Sequence, residues 1–466
     1  MDSRHHNRRN FIKRSLGAIG AASVMPAVLR GSAKATAAKK SQNALFIIIE
    51  DLKNIMGCYG NPLVQTPHLD RLAQKGIVFD RAYCQFPVCN PSRSSFLTGL
   101  RPDKTKVLDN YTPWHTHINH PTLPKLFKDN GYQTIGLGKI FHGQGQHGDP
   151  QAWDMNLDFA QTELGKRGEG RNMTGGKIDW CNWLAAEGTD EDQPDGQIAA
   201  AAVEFLQKPH DKPFFMAVGF HKPHDPFHAP KKYFDLYPLK ELMPPFAPAN
   251  RSPKEDYMIG SGWHNDMKKF TLQDKREFLR SYYACTTFVD TQVGKVIDAL
   301  DRQNLWKDTA VILVGDHGYN LGEYEWWNKA VLMEDSARIP MMAVVDGLTR
   351  ANVRCDQFVE MVDLYPTFAD LCGLTPPKNL DGISIRPILS EPNTPWKKTA
   401  AFTQVQRGQI AGKSVRTKRW RYNEWIRNDR ILARELFDHV SDPQEYRNLA
   451  EMEDFKNICQ ELSALL

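Results

Sequence analysis

Asn43-Ala44-Leu45-Phe46-Ile47-Ile48-Ile49-Glu50-Asp51 decides the fold. Seven residues without a charge, mostly β-branched or aromatic, predict a strand buried on both faces, which is the habit of a central parallel strand. Two acids follow it at once, and the carboxyl ends of such strands are where α/β sheets hold ligands. The same pattern recurs downstream. Tyr132 to Leu137 alternates as a strand and runs into Gly138-Lys139. Pro213 to Phe220 runs into His221-Lys222-Pro223-His224, and Thr309 to Gly315 runs into Asp316-His317. Arg338 to Val345 reads as a further strand, and Ile77 to Tyr83 as a short one.

Helical stretches alternate with these strands. Thr66 to Ala73 has Thr66 as N-cap and Pro67 at the first helical position. Ser92 to Thr98, Leu123 to Asn130, Ile198 to Leu206, residues 271–303 and Phe358 to Leu371 complete the set. Residues 143–197 are rich in Gly and Asp and read as an ordered surface excursion, and the prolines of 225–265 predict a lid-like loop. Beyond about residue 395 the pattern changes. Ala400 to Gln406, Gly412 to Thr417 and Arg419 to Trp425 read as short strands joined by turns, followed by Glu435 to Asp438 and a helix over 452–466. The expectation is an α/β sandwich around a large mixed sheet flanked by helices, spanning 36–394, with a smaller antiparallel subdomain at 395–466.

The length of 466 residues allows one large domain and a smaller one. The formal charge of +4 invites a polyanion reading. Residues 1–35 dispose of it, since they hold seven Lys or Arg against one acid, Asp2. The body of the chain is near neutral, and composition makes no case for nucleic acid.

Residues 1–35 read as an export signal. Arg8-Arg9-Asn10-Phe11-Ile12-Lys13 resembles the twin-arginine motif. A weakly apolar run from Leu16 to Leu29, broken at Pro26, leads to Ala33-Lys34-Ala35, an A-x-A cleavage pattern. The expected destination is the periplasm or the medium, with no membrane attachment after the signal is removed.

Eight cysteines stand at irregular spacings that match no zinc pattern. One of them opens Cys89-Asn90-Pro91-Ser92-Arg93-Ser94-Ser95-Phe96-Leu97-Thr98-Gly99. This stretch resembles the C-x-P-S-R-x-x-x-L-T-G signature of the type I sulfatases at every fixed position. The alternative is a disulfide to Cys84. Four more segments resemble the family in the same order: the acids after the first strand, Gly131-Tyr132-Gln133-Thr134 through Gly138-Lys139 to His142, the His221 to His224 segment, and Asp316-His317-Gly318 followed by Lys329. Gly57-Cys58-Tyr59-Gly60, His221 to His224 and Asp316 to Glu323 look most like the iduronate-2-sulfatase branch. The resemblance runs from about 43 to 450 and implies an alkaline-phosphatase-like sandwich.

It also implies a mechanism. In this family the cysteine is oxidised to formylglycine by a formylglycine-generating enzyme. One hydroxyl of the hydrated aldehyde attacks sulfur, and the other loses its proton as the aldehyde reforms and sulfate leaves. A serine lacks that second hydroxyl. A divalent cation neutralises the sulfate, calcium being preferred to magnesium for a carboxylate-rich site. The resemblance assigns Glu50, Asp51, Asp316, His317 and the residue-89 oxygen to that cation. Glu50 departs from the usual Asp by one methylene, and His317 stands where many relatives carry Asn. Arg93 is expected to hold the diol, and Lys139 and Lys329 the sulfate oxygens. His142 is the expected base for the collapse step and His221 the expected acid for the leaving oxygen, a role Lys329 can exchange with it. His224 is either part of the site or structural.

The function expected is hydrolysis of sulfate monoesters on a sulfated carbohydrate. Two alternatives remain open at this point: a phosphonate or phosphate ester hydrolase of the same superfamily, and a non-catalytic protein that binds sulfated glycans. The intact Cys89, Arg93, Lys139 and Asp316 argue against the last.

Overall fold

The computed structural model describes residues 42–143, 148–249, 251–253, 255–260 and 263–466. The expected export signal lies outside them. The strands in chain order are β1 (Asn43–Ile49), β2 (Ile77–Tyr83), β3 (Gln133–Gly138), β4 (Met155–Leu157), β5 (Gly168–Asn172), β6 (Asn182–Ala186), β7 (Phe214–Phe220), β8 (Phe227–Pro230), β9 (Thr309–Gly315), β10 (Arg338–Ile339), β11 (Met341–Val344), β12 (Val353–Glu360), β13 (Ala400–Arg407), β14 (Ile410–Thr417), β15 (Trp420–Arg427) and β16 (Arg430–Asp438). Among the described residues, nine form one sheet in the order β10-β2-β11-β9-β1-β7-β3-β4, with β12 beside β2.

β1 lies in the interior of this sheet, parallel to β7 on one side and β9 on the other. Every residue of it is buried. Its side chains alternate between two cores. Leu45, Ile47 and Ile49 pack with Val289, Val293 and Ile198. Phe46 and Ile48 pack on the opposite face with Phe96, Leu364 and Phe368. The helices Leu272–Arg302 and Pro194–Leu206 therefore cover one face, and Cys89–Thr98 and Leu364–Cys372 the other. This is the expected α/β sandwich with a mixed sheet, because β11 runs antiparallel to β9 and β2.

Several boundaries differ from the sequence reading. Residues 143–197 do not form a mere surface excursion. Met155–Leu157 adds an edge strand to the main sheet, parallel to β3. β5 and β6 join β8 in a separate three-stranded sheet, which also removes part of the expected lid over 225–265. Polar sequence hid β5, which is exposed along most of its length. Phe358 to Glu360 ends strand β12, and the helix begins only at Leu364. The strand read over Arg338 to Val345 is two strands divided at Pro340, which lacks the N–H a ladder needs. Thr66 makes no side-chain cap; its hydroxyl accepts the Gly57 N–H at 3.1 Å.

β13 to β16 form an antiparallel four-stranded sheet followed by the helix Lys456–Ser463. It belongs to the same compact unit, Lys39–Leu466. Backbone and side chain join it to the end of β2: Gln404 donates its N–H to the Gln85 carbonyl at 2.9 Å, and Thr403 its hydroxyl to the Cys84 carbonyl at 2.8 Å. No helix among the described residues is long and apolar enough to cross a membrane.

Candidate active site

Strand register assembles the site. Ile49 pairs with Phe220 and with Gly315, and Gly138 pairs with Gly219. The residues just beyond these pairs, Glu50 and Asp51, His221, Asp316 and His317, and Lys139, therefore emerge at one edge of four neighbouring parallel strands. Backbone bonds fix the ends, with Glu50 donating to the Phe220 carbonyl and Asp316 to the Ile49 carbonyl. Asp51 takes a left-handed conformation, φ 59°, uncommon for a residue with a side chain and frequent at sites that must aim one. The Tyr282 hydroxyl holds that turn, accepting the Lys53 N–H at 2.9 Å and donating to the Asp51 carbonyl at 2.5 Å.

Cys89 is the first residue of the helix Cys89–Thr98, so its side chain stands at the positive end of the helix dipole. All ten residues of that helix are buried, and the Ser92 hydroxyl ties it to the Asp316 carbonyl at 2.5 Å. Cys89 is 1% exposed. Its Sγ lies 3.2 Å from Glu50 Oε1, 3.4 Å from His317 Nε2 and 3.2 Å from Lys329 Nζ. Burial opposes thiolate formation. Lys329 and Lys139, with hydrogen bonds from His142 and His224, outweigh it and draw the thiol well below its ordinary pKa. Cys84 points elsewhere, to the Ser336 carbonyl, and none of the eight cysteines is paired.

Three carboxylates converge on this cysteine. Lys139 pairs with Glu50, and Lys329 Nζ lies 2.6 Å from Asp51 Oδ1. Asp316 Oδ1 accepts the N–H groups of Asp51 and His317, both at 2.9 Å. Arg93, fully buried, gives its Nε to Asp316 Oδ2 at 3.0 Å and its Nη1 to the carbonyls of Lys139 and Ile140. The guanidinium thus braces the acids and the Lys139 backbone. His317 donates its Nδ1–H to the Gly318 carbonyl at 3.0 Å, and its Nε2 turns to Cys89 and Asp51.

The donor set suits a divalent cation. Ligand atoms of Glu50, Asp51, Cys89 and His224 lie within 4.8 Å of one another, as do those of Cys89, Asp316 and His317. Buried Asp51 Oδ2 accepts no hydrogen bond from the described residues. At Glu50 burial is outweighed by His224, Lys139 and Arg93, and the carboxyl is held well below the usual range. At Asp51 burial prevails over His224, Lys329 and His317, and the pKa rises. An acid so poorly balanced by its neighbours accommodates further positive charge. Carboxylate oxygens in this number favour a hard cation.

His221 and His224 part company. His224 Nε2 stands 3.6 Å from Glu50 Oε1 and 3.8 Å from Asp51 Oδ2, inside the cluster. His221 Nε2 meets Asp158 at 3.1 Å instead, and the expected acid for the leaving group is not among the groups around Cys89. Sequence cannot decide between the two, since three residues apart in a proline-bearing loop they have no fixed periodicity. Lys139, His142 and His221 share the wall of a cavity of about 290 Å³.

The chain is similar to several known proteins. A family model described as "Sulfatase" matches residues 42–374, and one described as "N-sulphoglucosamine sulphohydrolase, C-terminal" matches 322–466. The mouse protein "Iduronate 2-sulfatase" is 30% identical over 90% of this chain and 93% of its own length. A structure described as a complex with "D-Glucosamine-2-N, 6-O-disulfate" superposes with a TM-score of 0.73 at 22% identity, covering 92% of this chain and 97% of the other. A phosphonate monoester hydrolase of Agrobacterium radiobacter gives a TM-score of 0.77 at 20% identity, covering 91% and 94%. The last two show the shared fold. By the family match and the full-length relative, the chain belongs to the sulfatase family, the sulfuric ester hydrolases.

Proposed function

We propose that the protein hydrolyses sulfate monoesters of a sulfated carbohydrate, in the manner of the iduronate-2-sulfatase branch, with a formylglycine made from Cys89. The observation that carries this is the convergence on Cys89 Sγ of Glu50, His317 and Lys329 within 3.4 Å. The sulfur stands in for the oxygens of the modified residue. Glu50, Asp51, Asp316, His317 and that residue-89 oxygen would hold a calcium ion, with magnesium the weaker candidate. When bound, the cation neutralises sulfate charge and eases loss of a proton from the nucleophile.

The chain's own residues do the rest. Lys139 and Lys329 bind sulfate oxygens and stabilise the charge that develops on them. Arg93 keeps Asp316 and the Lys139 backbone in place and adds its charge to the site. His142 takes the proton from the second hydroxyl as sulfate departs. His224 takes the acid role first given to His221, because it is the histidine held against the acids, with Lys329 as the alternative donor. Burial strengthens each of these charge interactions relative to water.

The test is parallel turnover of an aryl sulfate, a panel of monosaccharide sulfates and the matching phosphate and phosphonate esters. Sulfate preference supports the proposal. A phosphonate preference supports the second reading. We also propose export by the twin-arginine route on the strength of Arg8-Arg9 and the run that follows. That route carries folded protein, so a formylglycine-generating enzyme would act before export.

A further inference from the structure

One polar pair outside the cysteine cluster, Asp158 and His221, lines a cavity that shares Lys139 and His142 with the site. Three parallel strand ends create it. Leu137 of β3 pairs with Leu157 of the edge strand β4, and Gly138 pairs with Gly219 of β7. Asp158, Lys139 and His221, which follow these pairs, stand side by side. They line the 290 Å³ cavity together with His142, Asn156 and Trp153. Lys139 also binds Glu50, and His142 hydrogen-bonds the Cys89 thiol, so two residues of the cavity wall reach back to the Cys89 cluster. Its volume is near the lower bound for small-molecule pockets, about 300 Å³, which suits a single sugar-sized group.

We propose that Asp158 and His221 form the subsite that reads the hydroxyl beside the scissile sulfate on the leaving sugar. This rests on the carbohydrate sulfatase reading. His221 Nε2 and the Phe159 N–H both bond Asp158 Oδ1, at 3.1 and 2.9 Å, which fixes the orientation of the carboxylate. The His221 backbone is itself held by buried Asp195, which accepts its N–H at 2.8 Å. Burial disfavours the Asp158 charge, but the hydrogen bond and charge of His221 prevail, with help from Lys139, and the carboxyl sits below its ordinary pKa. An ionised carboxylate only accepts hydrogen bonds. A hydroxyl satisfies it, whereas a second sulfate or a carboxylate on the adjacent carbon meets a like charge. The subsite selects by attraction and by repulsion together.

The experiment uses protein carrying the modified residue 89. Its substrates are an aryl sulfate, monosaccharide sulfates, and the analogue of the best sugar that lacks the hydroxyl next to the sulfate. Wild-type kcat/KM should fall about 10- to 100-fold on the deoxy analogue, the range for a hydrogen bond to a charged group. Asp158→Ala should lose the parent sugar's advantage and bring the two substrates close together. Equal turnover of parent and deoxy sugar by the wild type overturns the subsite while leaving sulfatase action intact. Aryl sulfate turnover with no sugar turnover does the same. Absence of any sulfate ester hydrolysis overturns both proposals.

Discussion

Lys329 Nζ sits 2.6 Å from Asp51 Oδ1 and is buried with it. The same ammonium lies 3.2 Å from Cys89 Sγ, so one lysine serves both an acid of the cation site and the nucleophile position. Lys329→Met should lower kcat about 100-fold or more, the scale found when a preorganised donor to a developing anion is lost. Steady-state kinetics beside a melting curve separates this from misfolding. A stable Lys329→Met protein with wild-type kcat would remove Lys329 from the sulfate site.

His221 and His224 offer a sharper contrast. His224→Asn should cost about 100- to 10,000-fold in kcat, the usual contribution of a general acid or base. His221→Asn should raise KM for the sugar substrate with a smaller change in kcat. The reverse pattern would restore the acid role to His221.

Removal of the cation gives a third prediction. Extended chelation should abolish activity and lower the melting temperature, and calcium should restore both. A ligand at 100 times its Kd stabilises the folded state by about 2.7 kcal/mol. Asp51→Asn should erase the calcium-dependent part of the melting shift, a readout independent of turnover. An unchanged shift in that variant would place the cation elsewhere.

Acid stability should depend on Glu360. This buried carboxylate accepts Arg101 Nη2 at 2.5 Å and Lys398 Nζ at 2.7 Å. Burial opposes its charge, but Lys398 and Arg101 hold the pKa below its ordinary 4.5. A depressed acid stabilises the fold fully above pH 4.5 and loses that contribution progressively as pH falls below it. Glu360→Gln should destabilise by about 1.5–3 kcal/mol near neutral pH and flatten the acid limb of a melting-temperature profile. Parallel acid limbs in the two proteins would count against this origin.

Much of the site is legible in sequence because its chemistry sits at strand ends that burial writes plainly. Asn43 to Ile49, Phe214 to Phe220 and Thr309 to Gly315 carry no charge and are almost wholly apolar, and the acids and histidines that end them stand out. The Cys89 motif carries its own signature. What escaped lies on polar edges. Met155–Leu157 is three residues long with two of them exposed, so no alternation marks it, and Asp158 vanished with it. Glu50 illustrates a different limit. Its extra methylene was visible in sequence, whereas its pairing with Lys139 and its approach to Cys89 needed the folded chain.

The proposed chemistry requires a formylglycine at residue 89. High-resolution mass analysis of the peptide bearing it, taken from catalytically active protein, tests that claim most directly. The expected result is loss of the thiol sulfur and gain of an aldehyde oxygen at Cys89, with activity scaling with the modified fraction. Active protein whose Cys89 is wholly an unmodified thiol would contradict it.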